Sequence, residues 1–375
     1  MRPIIDAHLD LAWNALSFDR DQLLSIEALR SAESHMRGKG RGRCTVSLPE
    51  MRRAGVGICL ATVLARALPG RPIETVASGS PIAQRSRNET ILRENLDFAN
   101  QTIASAAGIG QLAYYQLLEG QDHLRMIRNA RDLDELWESW SKGPHNTAPI
   151  GIVLSMEGAD PIVDPDQLQW WWEQGLRTAC LAHYGPSAYA MGTGGDGPLT
   201  GRGVALLEVF ERLGMILDLV HTADTAFAQA LDRFGGGVFV SHGNCRALVA
   251  HDRQLSDEQI SQIVQRDGVI GTVLDCWMTV PGYKIEVEES ESVRLEKLVD
   301  HIDHICQLAG NARHVGIGSD LDGGFGAEQT PDEIDTIGDL HRLEPFLASR
   351  GYSDTDINRI FHGNWLDFLR RTLPK

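Results

Sequence analysis

The chain has 375 residues, 42% of them hydrophobic and 23% charged, the composition of a soluble globular protein. Its 51 acidic against 35 basic residues give a formal net charge of -16, which argues against nucleic acid or an anionic membrane surface as partner, because phosphates call for a basic footprint. No apolar run reaches the ~18 residues of a membrane span, the opening "MRPIIDAHLD" has no signal-peptide core, and the cytoplasm is the expected location.

Apolar runs bounded by glycine, proline and charge alternate with helical patterns along the chain. The predicted strands are "PIIDAHLD" (3–10), "VGICLATVLA" (56–65), "IGIVLSME" (150–157) and "RTACLAH" (177–183). They continue with "GMILDLVH" (214–221), "GVFVSH" (237–242), "GVIGTVLD" (268–275) and "HVGIGSD" (314–320). Near-continuous apolar strands indicate parallel strands covered on both faces. Helical spacing recurs at 199–214, 256–268 and 291–310, with Ser256 and Gln259 forming a capping-box pattern and Gly268 and Gly310 placed as helix stops. Eight such units predict an α/β fold, a (β/α)8 TIM-type barrel. Extra helices are inserted after the second strand, roughly 66–149, as the stretches 87–107 and 111–127. Nothing divides the chain, so 1–375 is expected to be a single domain.

The polar residues sit at the strand ends. His8 and Asp10 close the first strand, Glu157 the third, His183 the fourth, His221 the fifth, His242 the sixth and Asp320 the eighth. In a barrel those ends converge on one face, where active sites of this architecture lie. Clustered imidazole and carboxylate without thiolate is the ligand set of Zn, Mn or Fe rather than Mg or Ca. Seven candidates exceed the needs of one ion. They suit two ions bridged by a carboxylate, which can hold a hydroxide and polarise a carbonyl together. The six cysteines are scattered without a CxxC pair and read as small buried hydrophobes.

Other features carry less. The Gly-rich "MGTGGDGPLTGRG" (191–203) lacks the spacing of a phosphate loop and reads as a flexible loop near the site. "MRGKGRGR" (36–43) reads as a solvated loop, "HIDH" (301–304) as a solvated helix face, and "WWW" (170–172) as cover for a helix contact. His35, His123, His145, His251, His314, His341 and His362 lack strand-end context and are given no role.

The strand-end residues, in order, resemble the renal (membrane) dipeptidase family, zinc-dependent dipeptidases of the amidohydrolase superfamily (peptidase family M19). The carriers are "DAHLD" (6–10), "SMEGADPI" (155–162), "LAHYG" (181–185), "GMILDLVH" (214–221), "FVSHGNCRAL" (239–248), "HDRQLSDEQI" (251–260) and "VGIGSDLDGG" (315–324), with "GNW" (363–365) before the last helix. The resemblance implies two Zn2+ per chain, one held by His8, Asp10 and Glu157, the second by His221 and His242 with Glu157 bridging. It implies that His183 meets the substrate carbonyl or oxyanion, that Arg253 pairs with the substrate's terminal carboxylate, and that Asp320 carries the proton. By sequence alone Asp320 could equally be a ligand, with Asp322 as its competitor, and the resemblance favours Asp320. Asp6 is expected to be a structural carboxylate. The family's first motif has Asn where Leu9 stands here, and "HYGPSAYAMG" departs from the usual continuation after the fourth-strand His. The expected activity is hydrolysis of small dipeptides, tolerating a D-residue at the C-terminal position. The alternatives are an amidohydrolase acting on N-acyl amino acids or lactams, and a noncatalytic metal-binding barrel. Family members are often dimers, and 66–149 is where a homodimer contact is expected.

Overall fold

The computed structural model describes residues 2–67, 96–142, 147–284 and 292–375. His145, residue 291 and the 87–95 part of the first insertion helix lie outside the described residues.

All eight apolar runs form strands. They are β1 (Ile4–Leu9), β2 (Val56–Leu64), β3 (Ile150–Glu157), β4 (Leu176–Ala179), β5 (Ile216–Asp218), β6 (Val238–Phe239), β7 (Ile270–Thr272) and β8 (Val315–Ile317). Every residue in them is buried, the pattern of strands covered on both faces. The order is β7-β8-β1-β2-β3-β4-β5-β6, all parallel. A parallel bridge from Val240 to Ile270 closes the ring. This is the (β/α)8 barrel expected from the sequence. The strands are shorter than the apolar runs, so most of the polar residues that end those runs stand just beyond the ladder. A short strand, Leu124–Met126, pairs with the start of β3, below the point at Leu154 where β4 begins to pair.

The helices that matter for the site are capped as their sequences dictate. In the insertion, α1 (Gln101–Gly120) starts where the Asn100 side chain accepts the Ile103 N–H, and α2 (Ala130–Ser141) starts at Asn129 in the same way. The sequence pattern predicted helices at 87–107 and 111–127. Instead α1 runs across the gap between them, and the end of the second stretch becomes the strand Leu124–Met126. Tyr115 of α1 donates to the Thr62 carbonyl and accepts from the Ala12 N–H, which seats the insertion on β2 and on the helix after β1.

Further on, α3 (Gly201–Leu213) is capped by Thr200, α4 (Asp257–Gln265) has the expected Ser256–Gln259 box, and α5 (Glu296–Ala309) ends at Gly310. Gly268 does not stop α4, which ends before it at Gln265. The last helix, α6 (Asn364–Thr372), is fixed to β8 by "GNW". Asn364 donates to the Ala312 and Val315 carbonyls, both at 2.7 Å, and Trp365 Nε1 donates to Ile317 at 3.0 Å. Among the described residues no helix is long and apolar enough to cross a membrane.

Candidate active site

The carboxyl ends of the strands open on a cavity of about 330 Å³. Asp10, Glu157, His183, His221, His242, Arg253 and Asp320 line it, and His8 lies directly beneath. Every strand-end residue singled out in the sequence is therefore brought to one place, and Arg253 reaches it from the loop after β6.

Glu157 is the hub. Its Oε2 faces His8 Nε2 at 3.6 Å, while Oε1 faces His221 Nε2 at 3.2 Å, His242 Nε2 at 3.4 Å and His183 Nε2 at 3.6 Å. His8 Nε2 also lies 3.6 Å from Asp10 Oδ2 and 3.5 Å from Asp320 Oδ1. The groups that converge closely enough to share an ion are His8–Glu157–His242, Glu157–His183–His221 and His8–Asp10–Asp320. They overlap at His8 and Glu157 instead of dividing into the two triads implied by the resemblance.

Neighbours decide what each imidazole offers. Ser241 donates its hydroxyl to the buried Asp218 carboxylate, so its oxygen is free to accept from His242 Nδ1 at 3.0 Å. Thr193 Oγ1 lies within reach of both His221 Nδ1, at 3.0 Å, and the His221 carbonyl, at 3.4 Å; donating to the carbonyl, it accepts from the ring. Both rings then present a bare Nε2 lone pair to the cavity. His183 is the opposite case. Its Nδ1 lies 3.3 Å from Arg66 Nη1, and a guanidinium can only donate. The proton of the neutral ring is thus on Nε2, and His183 faces the cavity as a hydrogen-bond donor. Arg66 is itself held by Asp97 at 2.7 Å.

Charge reinforces this division. Burial, with Arg253 and the neighbouring rings, holds His221 and His242 well below the usual imidazole range, and burial with Arg66 does the same for His183. Burial also lowers His8, but Glu157, Asp10 and Asp320 more than reverse it and push His8 up to about 10. Burial raises Asp320 well above the carboxylate range, aided by Glu157 and Asp10. His221 and Asp320 also sit at φ of 58° and 57°, the left-handed region in which a non-glycine residue is strained.

Two glycines make the packing possible. A Cβ at Gly323 would lie 1.9 Å from Asp320 Oδ1, and one at Gly192 would lie 1.9 Å from the His183 carbonyl. Gly192 belongs to the Gly-rich segment expected to be a flexible loop. Its backbone is bonded back, Thr193 N–H to the His183 carbonyl at 3.0 Å and Gly185 N–H to the Thr193 carbonyl at 2.8 Å.

Several residues were not legible as site residues. Thr193 and Ser241 orient ligand-type histidines, Arg66 orients His183, and Asp275 after β7 lines the cavity. The basic octet is only partly a solvated loop: Lys39 lines the cavity, and Arg41 is buried against Phe18 and Glu33. Within "HIDH" only the second half faces outward. His301 is fully buried, accepting the Cys245 N–H at Nδ1 and donating from Nε2 to the Thr279 carbonyl, while His304 meets Asp257 at 2.7 Å. Amphipathic spacing places α5 against the barrel without saying that an imidazole belongs to the inner face.

The residues present suit a bound metal. His8 Nε2 is buried without a hydrogen-bond partner, and the Nε2 lone pairs of His221 and His242 converge with three carboxylates on the same space. Nitrogen and oxygen donors without sulfur match zinc or a similar borderline ion.

Comparison with known proteins gives the same family as the motifs. The family model described as membrane dipeptidase (peptidase family M19) matches residues 1–373. An uncharacterised dipeptidase of Schizosaccharomyces pombe is 29% identical over 230 residues, covering 60% of this chain and 53% of that protein. A dipeptidase of Clonostachys rogersoniana is 28% identical over 242 residues, covering 63% of this chain and 58% of its own length. The chain thus spans a little over half the length of these curated relatives. Among solved structures, a metallopeptidase from Rhodobacter sphaeroides, liganded with a phosphinate mimic of L-Ala-D-Ala, shares the fold with a TM-score of 0.73. It is 21% identical, with 99% of each chain covered.

Proposed function

The chain belongs to the membrane dipeptidase family, peptidase family M19, and from that premise we propose that it is a binuclear zinc dipeptidase. The observation that carries this reading is the placement of Glu157, with one carboxylate oxygen toward His8 and the other toward His221 and His242. His8, Asp10 and Glu157 would hold one zinc ion, and Glu157, His221 and His242 the second, with Glu157 bridging. The chemistry supplied there is acidification of a water and polarisation of the scissile carbonyl.

The remaining roles belong to the chain. Arg253 is buried and lines the cavity, with one Nη2 donor fixed to the His242 carbonyl at 3.1 Å. Its other donors present a planar fork for the dipeptide's α-carboxylate. His183, fixed as an Nε2–H donor by Arg66, hydrogen-bonds the carbonyl oxygen as it gains charge. Asp320 takes the proton of the attacking water and delivers it to the leaving amine. Its burial among carboxylates raises the proton affinity that this transfer needs.

By analogy with the Rhodobacter sphaeroides protein and its L-Ala-D-Ala mimic, the site accepts a D-residue at the C-terminal position. Within this proposal the chain acts in the cytoplasm as a single barrel domain, and two copies meet through the insertion near 66–149. A library of L,L and L,D dipeptides, assayed with and without chelator, tests the activity. Hydrolysis of both series that stops on chelation is expected. Hydrolysis insensitive to chelator, or none at all, would contradict it.

A further inference from the structure

One carboxylate in the cavity has no part in the chemistry above. Asp275 follows β7, is 5% exposed and lines the same cavity as Arg253. Its Oδ1 accepts the Trp277 N–H at 3.3 Å, capping the short helix Cys276–Thr279, and accepts from Gln329 Nε2 as well. The Trp277 side chain hydrogen-bonds the carboxylate as well, and among the described residues no cation lies within ion-pair distance of it. Lys39, exposed on the rim, acts on it only through space. A buried carboxylate with no cation beside it costs stability unless something binds it. Its hydrogen bonds hold the carboxylate in place and leave its charge without a counter-ion.

The rest follows from the substrate class, and so rests on the function proposed above. A dipeptide is charged at both ends. Arg253 takes the negative end, and Asp10, Glu157 and Asp320 are committed to metal and proton, which leaves Asp275 as the free anion in the cavity. We propose that Asp275 is a subsite for a protonated amine of the substrate. Such a subsite favours a dipeptide over an N-acyl amino acid, which has the carboxylate and the amide but no ammonium. The aromatic face of Trp277, in the same wall, suits a cation too.

An ammonium can come from the free amino terminus or from a basic side chain, and three compounds separate the two. Ala-Ala carries the α-amine, propionyl-alanine is the same molecule without it, and Lys-Ala adds a side-chain amine. Each is followed as substrate or competitive inhibitor of the metal-loaded wild type and of Asp275→Asn. Asparagine keeps the Oδ1 acceptor for the cap, so an unchanged thermal midpoint is the control for folding. The variant should lose about tenfold or more in kcat/KM for Ala-Ala, mainly through KM, since hydrogen bonds to charged groups are worth about 1.5–3 kcal/mol. Propionyl-alanine should stay within about twofold. Loss with Ala-Ala assigns the amino terminus; loss confined to Lys-Ala assigns the side chain. Equal change with all three, the neutral compound included, overturns the inference while leaving the dipeptidase reading intact. A wild type that turns over no dipeptide removes that reading and this inference with it.

Discussion

Two sets of buried carboxylates stand within a few residues of one another around the barrel mouth, and they are treated in opposite ways. Asp6 accepts the Ser319 N–H at 2.9 Å, the Ser319 hydroxyl at 2.5 Å and the His8 N–H at 3.1 Å. Asp322 accepts the Thr45 N–H and hydroxyl at 2.8 and 2.9 Å and the Val46 N–H at 3.0 Å. Asp218 accepts the Val220 and Ser241 N–H groups, both at 3.0 Å. Glu157, which is buried, and Asp320, whose side chain is 14% exposed toward the cavity, accept no hydrogen bond among the described residues and meet only imidazoles. A saturated carboxylate is scaffold, tying one strand end to the next. An unsaturated one facing the cavity is stable only as part of a site that binds something. Asp320 and Asp322, two residues apart, fall on opposite sides of this line.

The largest expected effect breaks the comparison at that pair. Asp320→Asn should lower kcat by about 10²–10⁴ through loss of the proton carrier, with metal content kept and the thermal midpoint not lowered. Asp322→Asn should do the reverse, costing about 1–3 kcal/mol in unfolding free energy with kcat changed by less than about tenfold. Denaturant titration and steady-state kinetics on both variants check the contrast. If both lose stability and neither loses turnover, the division is wrong.

The next effect concerns the hydroxyls between the two sets. Thr193→Val and Ser241→Ala each remove the acceptor that keeps a proton on Nδ1 and a lone pair on Nε2. Each should weaken zinc affinity by about 10–100-fold, read by competition with a chromogenic chelator. Unchanged affinity would mean that the tautomers are set elsewhere.

Most of this arrangement is legible in the sequence because of one rule, an apolar run that ends in a chelating residue. That rule gives the barrel, and it gives His8, Asp10, Glu157, His183, His221, His242 and Asp320 together. The same rule, applied to all charges and not only to ligand types, would have flagged Arg66 after β2 and Asp275 after β7. Thr193 and Ser241 are different: a hydroxyl in a loop has no pattern until the fold places it beside an imidazole. The choice between Asp320 and Asp322 also needs the fold, since Thr45 and Val46 come from the far end of the chain. In the insertion, helical spacing in α1 is clear but its ends are not, because strand pairing at Leu124–Met126 overrides the local pattern.

The smallest expected effect lies outside the mouth. Burial holds His301 neutral, pulling it from its ordinary 6.5 down to about 4 against the hydrogen bond to the Thr279 carbonyl, which acts the other way. Below about pH 6.5 the unfolded chain takes up a proton that the native ring refuses. Its contribution is therefore full above pH 6.5 and is lost as the pH falls from there toward 4. His301→Gln keeps a donor and an acceptor without the titration. Between pH 7 and 5 the wild type should lose a few degrees more in thermal midpoint than this variant. Parallel losses would show that His301 does not contribute.

The central claim is the proposal that Glu157 would hold two metal ions, one with His8 and Asp10 and the other with His221 and His242. Metal analysis of the purified protein tests it directly, with Glu157→Gln as partner. The account predicts close to two zinc ions per chain in the wild type, and a loss of metal with loss of turnover in the variant. A well-folded, active wild type with one zinc or none, or a Glu157→Gln protein that keeps two, would contradict it.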